Sequence, residues 1–87
     1  MAEEIEHFQE FTGEMYAKLH ANLHKKGGPF SSMNARQLFD FLKIEIMELQ
    51  AALDHLGSEA ACSELVDIAN FSLLMHKRLR KRTIQGK

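Results

Sequence analysis

Four acidic residues stand at spacings that suit chemistry. Glu45 and Glu48 form one i, i+3 pair, and Glu64 and Asp67 form a second. On a helix each pair shares one face. Gly57 and Ser58 lie between the pairs and read as a sharp helix-to-helix turn. The midpoint of the four positions falls at about residue 56, beside that turn. An antiparallel hairpin would bring the pairs to similar heights, within about one helical turn at ~1.5 Å per residue. Four carboxylates would then converge. All-oxygen donors of this kind suit a hard divalent ion, Mg²⁺ or Mn²⁺, over Zn²⁺. The alternative is a solvated acidic face, since such pairs are common on helices.

The surroundings of the acids favour the first reading. Leu38, Phe41, Leu42, Leu49, Ala52, Leu53 and Leu56 form an apolar stripe, and Glu45 falls inside it, with Glu48 on its edge. A carboxylate among leucines loses hydration, at a cost of several kcal/mol unless paired or metal-bound. Glu64 and Asp67 lie beside Ile68 and Phe71. Asn70 is one further i+3 step along the same face. Lys43 belongs to the wet face, and Lys77 and Arg78 lie two to three turns away, so few cations are expected near the acids. Clustered ionised carboxylates repel one another, and a bound cation relieves this.

The elements that must position these groups are three amphipathic helices, an all-α fold. Apolar residues recur at three- and four-residue steps over 3–26, with Ile5, Phe8, Met15, Leu19 and Leu23 on one side. Glu3, Glu4 and Glu6 complement the dipole of the first turn. Gly13 is read as a close helix crossing. Residues 27–33, GGPFSSM, break the periodicity and form the one sizeable loop. The second helix spans 34–56, with Asn34 or Ser32 as N-cap. The third spans 59–81, capped by Ser58, with Ala61, Leu65, Ile68, Phe71, Leu74, Met75 and Leu79 as its apolar positions. Residues 1–82 make one helical domain, and 83–87 read as a flexible tail. Three such helices bury little alone, so pairing with a second copy, as a dimer or tetramer, is expected to complete a four-helix-type core from two central hairpins.

Composition excludes several classes. The net charge of −1 gives no overall drive toward nucleic acid or membrane. No apolar run approaches the ~20 residues of a membrane span. The N-terminal MAEEIEHF has no apolar core, and a single Cys62 excludes an internal disulfide, so a cytoplasmic setting is expected. Cys62 itself reads as a buried small residue, and Met33, Met47 and Met75 as core filler. His20 and His24 are spaced i, i+4, but a third zinc ligand is not evident. Only Glu4 has a histidine three residues later, His7, and a di-iron bundle needs that motif on two helices. The basic run from Lys77 to Arg82 complements the helix dipole, and it also allows an alternative: a non-enzymatic interaction or DNA-binding module.

The acidic pattern resembles a known family. Glu45-x-x-Glu48, fifteen intervening residues and Glu64-x-x-Asp67 are similar to the signature of the MazG-like all-α nucleoside triphosphate pyrophosphohydrolases. KLHANLHKKGG resembles the family's segment ahead of the first acidic pair, and ELVDIANFSLLM its third-helix stretch. The likeness covers about residues 8–76. Many relatives have Trp after the glycines, where this chain has Pro29-Phe30. The resemblance implies hydrolysis of a (d)NTP to (d)NMP and pyrophosphate, in house-cleaning or pool control. It implies Mg²⁺ held by Glu45, Glu48, Glu64 and Asp67, with Glu45 or Glu48 orienting or deprotonating the attacking water. Lys25, Lys26 or a basic residue of the third helix would meet the phosphates. His20, Phe30 and Asn70 fall where the family places substrate-contacting side chains.

Overall fold

The computed structural model describes residues 2–25 and 32–85, with side chains at 2–21 and 32–81. The described chain is all-α with three main helices: α1 (Ala2–Lys25), α2 (Ala35–Ala51) and α3 (Ser58–Gln85). Among the described residues, no helix is long and apolar enough to cross a membrane.

Local chemistry explains where α2 begins. The Asn34 side chain accepts from the Gln37 backbone N–H at 2.8 Å, and Gln37 Oε1 accepts from the Asn34 N–H at 2.9 Å. This reciprocal capping box satisfies two donors that the first helical turn leaves orphaned. Asn34, not Ser32, is therefore the cap.

The far end of α2 departs from the expected pattern. Residues Ala52–Leu56 form one π-helical turn, closed by the Gly57 N–H bonded to the Ala52 carbonyl at 2.9 Å. Gly57 has φ of 101°, a conformation that disfavours L side chains. Its carbonyl accepts the Ala61 N–H at 3.1 Å. Gly57 thus ends one helix and opens the next, and Ser58 is the first residue of α3, not its cap. At the other end α3 stays helical through Gln85, beyond residue 81 and into the segment read as a tail.

α2 and α3 pack together with contacts in reverse chain order. Arg78 Nε donates to the Met33 carbonyl at 2.7 Å. The Phe41 and Phe71 rings lie 6.0 Å apart and nearly parallel. Glu45 approaches Glu64. α1 crosses α3 on another side, where Asn70 Nδ2 donates to the Met15 carbonyl at 3.1 Å.

The core is small. Leu38, Ala52, Ala61, Val66 and Phe71 are its buried apolar residues. Val66 falls outside the apolar stripe read for this helix, because α3 has a second packed side toward α1. Leu42, Leu49, Ile68, Leu74 and Met75 are half-buried. Leu53, Leu56, Leu65 and Leu79, expected inside, are exposed, as is Met47. Cys62 is exposed rather than buried. Gly13 is not a close crossing: a Cβ there would meet nothing within 4 Å.

Candidate metal centre

Three of the four predicted acids converge. Glu45, Glu48 and Glu64 each offer a carboxylate oxygen within 4.8 Å of the others. α2 supplies two of them on one face, and α3 brings the third across. Glu45 and Glu64 are half-buried, while Glu48 is exposed. Glu45 Oε1 and Glu64 Oε1 are buried without a hydrogen-bond partner.

These carboxylates strain one another electrostatically. Burial pushes the Glu45 carboxyl up from 4.5 to about 8, helped by a hydrogen bond to Glu64 and by the charges of Glu48, Asp67 and Glu64. The Glu45–Glu64 bond exists only with a proton between the two groups. With both ionised, the two Oε1 atoms have no donor, which agrees with their orphaned state. Either a proton or a cation resolves the site. Its donors are all carboxylate oxygens, which fit a hard divalent ion. Glu45, Glu48 and Glu64 are the residues that would hold it.

The fourth acid is engaged elsewhere. Asp67 Oδ1 lies 3.0 Å from Lys18 Nζ of α1. Lys18 also donates to Ser63 Oγ at 2.7 Å and to the Ser63 carbonyl at 3.0 Å. The expectation of few cations near the acids is corrected here: one reaches them from the first helix. The spacing of α2 and α3 cannot reveal a partner from α1. The available signal was Lys18 itself, the single Lys or Arg in an otherwise acidic first 24 residues.

Comparison with protein-family models, curated proteins and solved structures finds no match.

The other predicted contacts lie apart or unseen. Asn70 is buried, 6% exposed, with its amide nitrogen tied to α1 and its Oδ1 unpartnered. His20 is exposed and stacks on Tyr16 with centroids 5.7 Å apart. Two residues along a helix turn a side chain by roughly 200°. Lys18 faces α3, so His20 points away from the carboxylates of its own chain. Lys26 and Phe30 lie outside the described residues, as do residues 27–29 and the side chains of Lys25 and His24. A cleft of about 610 Å³ opens between α1 and α3, lined by Ala17, Lys18, Cys62, Ser63 and Val66 among others. The three converging glutamates are not among its described lining, so this cleft and the acidic chemistry are neighbours rather than one site.

Proposed function

We propose that this chain is a Mg²⁺-dependent nucleoside triphosphate pyrophosphohydrolase of the MazG-like kind, with Mn²⁺ as a substitute ion. The observation that carries the reading is the convergence of Glu45, Glu48 and Glu64, two of them with buried oxygens that lack a donor. Apolar burial of acids in a core this small is costly, and a ligand explains why it is tolerated.

A bound divalent ion supplies charge neutralisation for triphosphate oxygens. Water adds across the linkage between the α- and β-phosphates, releasing a nucleoside monophosphate and pyrophosphate. Glu45 or Glu48 would orient that water and take its proton.

Two copies of the chain complete the domain in this reading. The α2–α3 pairing is taken as an antiparallel hairpin, and two hairpins make a four-helix core. The accessible surface is 6700 Å², against about 5200 Å² for a compact monomer of this mass. Phe39 and Ile46 on α2 and Leu53 in the π-turn that follows form an exposed stripe that a second copy would cover. His20, which faces away from its own carboxylates, would meet substrate only across such an interface.

One observation favours the alternative, a non-enzymatic binding module. Lys77, Arg80 and Lys81 rim a cleft of about 840 Å³ floored by Leu19, Leu73 and Leu74. That reading leaves the carboxylate cluster without a purpose.

The test is turnover of a panel of ordinary and damaged dNTPs and NTPs with Mg²⁺, scored for monophosphate and pyrophosphate by chromatography. Metal-dependent release that disappears in Glu48→Gln and Glu64→Gln is expected. An equal rate in those variants would remove the reading.

A further inference from the structure

The described Lys and Arg side chains divide into two sets. Lys18 pairs with Asp67, Arg36 and Lys43 pair with Asp40, and Arg78 Nε donates to the Met33 carbonyl. Lys77, Arg80 and Lys81 have no ion-pair or hydrogen-bond partner among the described residues. All three are exposed, and all three line one cleft of about 840 Å³. Leu73 and Leu74 of α3 and Leu19 of α1 give that cleft an apolar floor, and no acid is among its described lining.

The helix dipole does not explain these charges. It acts within the last turn of a helix, and α3 runs on to Gln85, which leaves Lys77 about two turns and Arg80 more than one turn inside the end. Nor do the cations serve the carboxylates of their own chain. Arg80 stands sixteen residues beyond Glu64, about 24 Å along the helix and turned by roughly 160° from it. Lys77 to Lys81 covers only about 6 Å of helix, so three positive charges gather on one short length of rim. A phosphate monoester carries about two negative charges and several acceptor oxygens, which matches such a cluster. A single carboxylate would leave two cations unmatched.

We propose that the cleft between α1 and the C-terminal part of α3 binds an organic phosphate, with its phosphate on Lys77, Arg80 and Lys81 and its apolar body on Leu19, Leu73 and Leu74. The ligand needs no metal ion, because the protein itself supplies the positive charge. This separates the site from the carboxylate centre, which attracts anions only through a bound cation. The floor joins two helices, so the ligand bridges α1 and α3 and stabilises their contact.

The test is calorimetric titration of the full chain in EDTA with AMP, octyl phosphate and inorganic phosphate. An organic phosphate binds without metal. Inorganic phosphate binds about tenfold more weakly, since it has no apolar body to bury. The tighter of AMP and octyl phosphate names the body as a planar base or an alkyl chain. In the Lys77→Gln, Arg80→Gln double variant, altered only at exposed positions, affinity falls by about tenfold or more. Glu64→Gln binds as wild type does. No binding of either organic phosphate in EDTA, inorganic phosphate binding as tightly, equal affinity in the double variant, or loss in Glu64→Gln overturns the proposal. None of these outcomes depends on the carboxylate centre holding a metal, so failure there and failure here are distinct.

Discussion

Glu45→Gln isolates the electrostatic strain at the centre. In the folded chain Glu45 holds its proton up to about pH 8, against 4.5 for the ordinary group. Between those values the folded state binds a proton that the unfolded state has released. Stability is therefore highest below pH 4.5 and falls as pH rises toward 8, after which the loss is complete. At about 1.4 kcal/mol per pH unit the full shift would be several kcal/mol. Glu45 is half-buried and shares its charge with three neighbours, so solvent screening reduces this, and about 2 kcal/mol is expected. The assay is urea unfolding at fixed protein concentration from pH 5 to 9 in chelator. Wild type loses about 2 kcal/mol across the range, whereas Glu45→Gln, which has no proton to lose, varies far less. Added Mg²⁺ restores wild type at pH 8 and leaves the variant unmoved. The same pH slope in both proteins would refute the reasoning.

Three further outcomes follow from local structure. Gly13→Ala, in an exposed helix interior with free space around it, raises stability by about 0.5–1 kcal/mol in urea melts. Asn34→Ala removes the capping box of α2 and lowers stability by about 1 kcal/mol in the same measurement. Leu53→Glu, in the π-turn at the end of the exposed apolar stripe, shifts the chain toward monomer in light scattering. An unchanged mass would remove the paired-hairpin reading.

Periodicity located three helices because each has an apolar face, and Asn34 is legible as a cap because its side chain bonds within four residues of itself. Glu45 was legible as a half-buried acid because it interrupts a leucine-rich stripe. What packs against a helix is a tertiary fact. α3 meets α2 at Glu64 and Phe71 and α1 near Val66 and Asn70. A single-stripe reading therefore missed Val66. The same blindness hid Lys18, which joins the acids across 49 residues of sequence. The π-turn was illegible for a different reason. Ala52–Leu56 has ordinary helix-forming composition, and only the bond from Gly57 back to Ala52 distinguishes it. Gly13 shows the converse: a helix glycine suggested a close approach, and open space surrounds it.

The most direct test of the central claim is calorimetric titration of Mn²⁺ into wild type and Glu64→Gln. One binding event per chain is expected in the wild type, lost when the α3 carboxylate is neutralised. Equal affinity in the two proteins, or no binding in either, would contradict a metal centre built from Glu45, Glu48 and Glu64.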